Sequence, residues 1–116
     1  MDETRKILDL PDLKVNVTCV RVPVRIGHSL AVTARFGTRV NPKKAAGALR
    51  RSPGLSVSPE DEFITPAECE FDDAVHVSRI RPGAEPEELN LWIVTDNLRK
   101  GAALNAWQIA GLLKED

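Results

Sequence analysis

The chain has 116 residues, of which 42% are hydrophobic and 28% charged, a composition typical of one globular domain. Sixteen basic and 17 acidic side chains leave a net charge of −1, which excludes a strongly basic surface for nucleic acid or anionic lipid. No run approaches the ~18 apolar residues of a membrane span, and the charged first residues do not resemble a signal peptide. We therefore expect a cytoplasmic protein with no nucleic-acid or membrane partner. Cys19 and Cys69 form neither a disulfide framework nor a paired metal motif, so no metal site is predicted.

Apolar periodicity and turn residues predict helices that alternate with several strands. Asn41 and Pro42 form a typical helix start, and Asp96 or Asn97 would cap the last helix. We expect an α+β domain with a mixed or antiparallel sheet covered by helices. In chain order, the predicted elements are a helix over 3–8, strands over 13–22 and 28–36, a helix over 42–51, a strand over 55–57, a loop over 58–73, strands over 75–80 and 89–95, and a helix over 98–113.

The first two predicted strands carry unexpected polar residues on their apolar faces. Arg21 continues the parity of Val15, Val17 and Cys19, and His28 continues that of the second strand. An antiparallel hairpin whose paired residue numbers sum to 49 would place Arg21 opposite His28, roughly 5 Å away at the backbone. A guanidinium there would fit a carboxylate or phosphate ligand. The alternative is a strand-end arginine that reaches water beside a loop histidine, and Pro23 also permits other loop geometries.

Several stretches also resemble the C-terminal part of aspartate-semialdehyde dehydrogenases. The most specific is the long run at 89–105, and the similarity extends in order over nearly the whole chain. The stretches are residues 3–8 (ETRKIL), 18–24 (TCVRVPV), 27–29 (GHS), 65–66 (TP), 79–81 (RIR) and 89–105 (LNLWIVTDNLRKGAALN). The resemblance implies an α+β fold like the C-terminal domain of glyceraldehyde-3-phosphate dehydrogenases, and a homodimer or a complex with a partner dehydrogenase subunit.

The resemblance also implies a chemistry for individual residues. The family interconverts aspartyl phosphate and aspartate semialdehyde with NADP, in the route to lysine, threonine and methionine. Arg21 matches the arginine that grips the substrate carboxylate, and His28 matches the acid/base histidine, whose ordinary pKa near ~6.5 suits proton transfer at neutral pH. Asn97 is the candidate for contact with the nicotinamide side of the cofactor. The substrates in the complete enzyme would be aspartate semialdehyde and phosphate.

Some family features are missing from these 116 residues. There is no Asn-Pro-Gly-Cys run to supply the nucleophile and no strand–GxGxxG–helix unit to hold a dinucleotide. Leu30 replaces a common glutamate, and Ser78 replaces a common glycine. We therefore interpret residues 1–116 as one substrate and dimerisation domain without a nucleotide-binding domain, inactive by itself. The alternative is a non-enzymatic truncated paralogue that acts as a dimerisation module.

The remaining candidates receive mostly structural interpretations. Cys19 is expected to be a small buried hydrophobe, with a Cys19–His28 catalytic pair as a rival hypothesis. Carboxylates near Cys69 should raise the pKa of its thiol. His76 is interpreted as a surface strand residue. Trp92 and Trp107 are expected to have packing or interface roles. The helix over 98–113 is apolar almost all round and should expose an apolar patch.

Overall fold

The computed structural model describes residues 2–113 and contains a four-stranded mixed sheet with strand order β1-β4-β3-β2. The expected α+β class is confirmed. The elements are helix α1 (Asp2–Leu8), strand β1 (His28–Arg35), helix α2 (Pro42–Arg50), strand β2 (Leu55–Val57), a 3-10 turn (Pro66–Glu68), strand β3 (Val75–Pro82), strand β4 (Glu88–Thr95), a π-helical turn (Arg99–Ala103) and helix α3 (Leu104–Leu112). Within the part of the chain described, no helix has the length and apolarity needed to cross a membrane.

Strand β4 lies inside the sheet and pairs antiparallel with β1 on one side and β3 on the other. The short strand β2 extends the sheet by running parallel to β3. Because side chains alternate between the two faces of a sheet, Trp92, Val94 and His76 share one face, with His76 opposite Val94. The loop over 58–74 covers that face: Trp92 Nε1 donates to the carbonyl of Ile64 at 2.9 Å. The fully buried Val94 belongs to this small core.

Helix α2 begins where its sequence predicts. The Asn41 side chain accepts a hydrogen bond from the Lys44 N–H at 3.1 Å, and Pro42 occupies the first turn, where no backbone N–H is needed. The helix contacts β2 and β3. It is followed by Gly54, whose φ of +76° lies in the left-handed region that glycine adopts without strain. The polypeptide thereby reverses and enters β2.

The predicted hairpin between residues 13–22 and 28–36 is wrong. Residues 13–27 form no strand, and β1 pairs instead with β4 in a continuous eight-residue register from His28 opposite Thr95 to Arg35 opposite Glu88. Arg21 is therefore not the strand neighbour of His28. Cys19, expected to be buried, is exposed, as is Val20, at 78%. An alternating sequence also fits an extended segment without a strand partner, and β4 gives β1 apolar partners on both faces, as at Leu30 opposite Ile93 and Ala31 opposite Trp92.

The last predicted helix is divided. Residues 99–103 form the π-helical turn, and the regular helix α3 begins only at Leu104. No residue of α3 is buried, which confirms the expected exposed apolar patch. Trp107 and Ile109 are 74% and 55% exposed, and Leu112 and Leu113 at the end of the helix are 70% and 77% exposed. Such a continuous apolar surface is typical of a contact with another chain or domain.

Candidate functional site

The candidate site lies where β1 begins and β4 ends. His28, the first residue of β1, pairs with Thr95, the last residue of β4. Next to this pair, the N–H of Gly27, the residue before His28, donates a hydrogen bond of 2.7 Å to Oδ1 of Asn97, two residues after Thr95. The bond joins two segments that are 70 residues apart. The exposed His28 side chain turns toward the π-helical turn: its Cδ2 lies 3.7 Å from the place where a Cβ on Gly101 would stand. The structure thus brings His28 and Asn97 together.

Gly27 is held between two walls. Its φ is +109°, and a Cβ added there would approach Pro66 Cβ to 3.0 Å and Cys69 Sγ to 3.4 Å. One wall is therefore the 3-10 turn at 66–68, and the other is Asn97. The turn itself is fixed by Glu68, whose carboxylate accepts hydrogen bonds from the Thr65 hydroxyl and N–H; these two bonds lower the pKa of Glu68. Residues 65–66, singled out in the sequence, support the backbone before His28.

A Gly27→Ala substitution should be destabilising by about 2–4 kcal/mol, because positive-φ strain and crowding against Pro66 add together. Gly54→Ala is the matched control: Gly54 also has a positive φ, +76°, but open space around it. It should cost only about 1–2 kcal/mol. Urea unfolding of both variants measures the difference. Equal losses would show that the wall formed by Pro66 and Cys69 does not constrain Gly27.

Asp96 links the loop at Phe71 to the turn that carries Asn97. Its side chain is 1% exposed, and its carboxylate accepts three backbone hydrogen bonds: from Leu98 at 2.7 Å, from Arg99 at 3.1 Å and from Phe71 at 2.9 Å. Burial by itself raises the pKa of this carboxyl, but the three donors outweigh it and hold the pKa below its ordinary value. Of the two predicted caps, Asp96 and Asn97, it is therefore Asp96 that caps the π-helical turn, and it also binds the loop at Phe71.

Cys69 and His76 complete the buried side of the site. The Cys69 thiol is fully buried and contacts the Pro66 carbonyl at 3.2 Å; burial, followed by the charge of Asp96, raises its pKa and keeps it protonated. The predicted direction is confirmed, with burial as the main cause. His76 is not a surface residue as predicted: it is 7% exposed, and its Nε2 lies 3.0 Å from Asp72 Oδ2.

The Asp72 carboxyl is held in its charged form. The Ala74 N–H, donating to Asp72, is the main cause of its lowered pKa, and His76 contributes further. Because the folded-state pKa values of Asp72 and Asp96 are both lowered, their stabilising effect is present above the ordinary carboxyl pKa and is lost as the pH falls through the lowered values. Both carboxylates therefore support the loop over 69–73 at neutral pH.

Arg21 and Cys19 lie in the exposed segment before Gly27 and outside any regular element. The register that placed Arg21 opposite His28 is absent, so the role of Arg21 now depends on the sequence resemblance. The rival Cys19–His28 pair loses the same support. The contribution of Asp96 to the loop, by contrast, was missed by the sequence, because its partner Phe71 is 25 residues away and carries no distinctive side-chain signal.

The fold is an α+β domain on a four-stranded mixed sheet, with His28 at the start of its edge strand and the turn after Asp96 at the same end. The sequence matches the family described as semialdehyde dehydrogenase, dimerisation domain, over residues 1–100, and the chain belongs to that family. It is 46% identical over 113 residues to the aspartate-semialdehyde dehydrogenase of Streptomyces akiyoshiensis, covering 97% of this chain and 32% of that protein. It is 41% identical over 115 residues to a USG-1 protein homolog from Azotobacter vinelandii, covering 97% and 34%.

Solved structures of aspartate-semialdehyde dehydrogenases also match this chain. The crystal structure of aspartate semialdehyde dehydrogenase II from Vibrio cholerae, complexed with ASA, superposes with a TM-score of 0.95 at 40% identity, covering 98% of this chain and 34% of that one. A probable aspartate-semialdehyde dehydrogenase from Pseudomonas aeruginosa gives a TM-score of 0.81, also at 40% identity, with coverages of 84% and 30%. The chain thus spans about a third of the length of these relatives and corresponds to their C-terminal dimerisation region.

Proposed function

We propose that this chain forms the dimerisation and substrate-binding part of an NADP-dependent aspartate-semialdehyde dehydrogenase, with aspartate semialdehyde and phosphate as substrates. The observation that carries the proposal is the Gly27–Asn97 hydrogen bond, which joins the backbone next to His28 to the turn that carries Asn97. It unites the two most specific stretches of the family resemblance in one site. The similarity to a dehydrogenase solved with ASA bound supports the same activity.

In this proposal His28 is the acid/base. Its imidazole is exposed at the end of the sheet, where it can reach a substrate, and an imidazole nitrogen can accept and return a proton. The Gly27–Asn97 bond holds the backbone next to His28, and the ring lies near Gly101, which carries no side chain to displace it. Arg21 would bind the substrate carboxylate through its planar fork of donors.

The cofactor would meet this chain at Asn97. Its oxygen accepts a hydrogen bond from the Gly27 N–H, so its amide Nδ2 would be the group that donates to a bound cofactor. NADP supplies the hydride acceptor when bound. The seven glycines are scattered and form no strand–GxGxxG–helix unit, so the dinucleotide phosphates would be held by another part of the complete enzyme.

A chimeric enzyme tests the proposed function. Residues 1–116 would replace the corresponding third of the Streptomyces akiyoshiensis relative, and NADP reduction would be followed with aspartate semialdehyde and phosphate. We expect turnover from the chimeric enzyme and none from the 116-residue chain alone. A folded, dimeric chimera without turnover would contradict the proposal and favour the alternative of a non-enzymatic dimerisation module.

Self-association is the second expectation of the proposed function. The edge strand β1 exposes Leu30 at 49%, and an uncovered strand edge pairs readily with another chain. We expect an isologous homodimer at micromolar concentration through the sheet, with further aggregation through α3. Sedimentation velocity should show that Trp107→Glu and Ile109→Glu reduce aggregation but keep the dimer.

The matched control is Gln108→Glu, which adds the same charge at an exposed polar position of the same helix. It should leave aggregation unchanged, because it removes no apolar surface. A monomer at high concentration in the unmodified chain would rule out the dimer. Loss of the dimer in Ile109→Glu would show that α3, and not the sheet, forms the interface.

A further inference from the structure

Asp96 does more than cap a helical turn. A capping carboxylate needs only the N–H groups of the residues that follow it, which here are Leu98 and Arg99. The third hydrogen bond, from Phe71 N–H at 2.9 Å, comes from a different segment. One buried carboxylate therefore fixes both the turn that carries Asn97 and the loop that follows Cys69.

The backbone of Phe71 indicates that this third bond shapes the loop. Its φ is +68°, a left-handed conformation that costs an ordinary L-residue about 1–2 kcal/mol. The Phe71 side chain is 73% exposed, so packing of its ring does not explain the conformation. The hydrogen bond to Asp96 does, since that conformation directs the Phe71 N–H to the buried carboxylate.

The two segments held by Asp96 are the two walls around Gly27. Cys69 and Pro66 approach Gly27 from one side, and on the other side Asn97 Oδ1 accepts a hydrogen bond from the Gly27 N–H. We propose that Asp96 is a positioning residue for His28: it clamps the loop over 69–73 to the Asn97 turn, and this clamp fixes the Gly27–His28 backbone. The proposal rests on the proposed function for its catalytic consequence but not for its structural test.

Asp96→Asn separates capping from clamping. The amide oxygen of asparagine can still accept from Leu98 and Arg99, since asparagine is a good cap. Its NH2 group would then face the Phe71 N–H, donor against donor. Hydrogen exchange of the full 116-residue chain should show Leu98 still protected, with Phe71 and Gly27 exchanging at least about tenfold faster.

Asp73→Asn is the matched control, because Asp73 belongs to the same loop and pairs at the surface with Arg99. It should change Gly27 exchange less than about twofold. Unchanged Gly27 exchange in Asp96→Asn would overturn the clamp. Should that variant not fold, exchange of the unmodified chain in increasing denaturant decides: Gly27 and Phe71 should open together, and a separate, easier opening of Gly27 would overturn the proposal.

The catalytic consequence is measured in the chimeric enzyme. Asp96→Asn should lower kcat about 10- to 100-fold, because a small displacement of a catalytic group is costly, while KM changes less than about twofold. A rise in KM as large as the fall in kcat would show that Asp96 does not position His28. A normal kcat in a variant whose Gly27 exchanges faster would show the same. An inactive unmodified chimera would contradict the proposed function alone, since the exchange data still test the clamp.

Discussion

In the chimeric enzyme, His28→Asn should lower kcat by about 10²–10⁴-fold, the usual contribution of a general acid or base. Asparagine preserves polarity and approximate size but does not exchange a proton near neutral pH. The backbone of residue 28 should remain in place, because the Gly27 N–H to Asn97 bond and the pairing with Thr95 do not use the imidazole. Steady-state kinetics measure the loss.

The second histidine provides a matched control. His76 is buried and lies 3.0 Å from Asp72, so His76→Asn should destabilise the domain while the folded enzyme keeps kcat within about tenfold. Comparing the variants at a temperature where both are folded separates chemistry from stability. A loss below about tenfold for His28→Asn, or an equal loss for both variants, would show that His28 is a structural residue.

Local signals predicted most of the regular elements. Helix α2 begins at Pro42 because Asn41 can cap it and proline needs no N–H there. Strands β3 and β4 were found from their apolar runs. The hairpin failed because a period of two defines which face of a strand is apolar but not which strand lies beside it. Strand β1 pairs with β4, 60 residues further along the chain.

The same limitation explains the error at His76. Alternation with Val75 and Val77 predicted an exposed histidine, which holds only if one face of the sheet meets water. Here the face of His76 is covered by the loop from which Asp72 binds it. Because that loop has no periodic pattern, its position over the sheet is determined by long-range contacts such as the Phe71–Asp96 bond.

The site was predictable only in part. Strand parity alone singled out both Arg21 and His28, whereas the acid/base role of His28 and the cofactor role of Asn97 came from the family resemblance. The convergence of Gly27 with Asn97 across 70 positions follows from the pairing of β1 with β4, which the sequence did not predict. The sequence predicted Asp96 or Asn97 as the cap of the last helix, but the bond of Asp96 to the loop required the tertiary structure.

Arg21→Lys should reduce kcat/KM for aspartate semialdehyde about 10- to 100-fold in the chimeric enzyme. A lysine keeps the charge but loses the planar fork, and a hydrogen bond to a charged group contributes about 1.5–3 kcal/mol. Arg21 is exposed in a segment outside any regular element, so Arg21→Lys should change the free energy of unfolding by less than about 0.5 kcal/mol. Thermal unfolding checks that part.

Arg25→Lys is the matched control, since Arg25 is exposed in the same segment and four positions away. It should change kcat/KM less than about threefold, because a charge at that position supplies only general attraction. The guanidinium fork of Arg21 fits carboxylate and phosphate equally well, so the KM values of the two substrates must be compared. A rise confined to aspartate semialdehyde assigns Arg21 to its carboxylate. A rise confined to phosphate would assign it to the other substrate, and unchanged kinetics would remove Arg21 from the site.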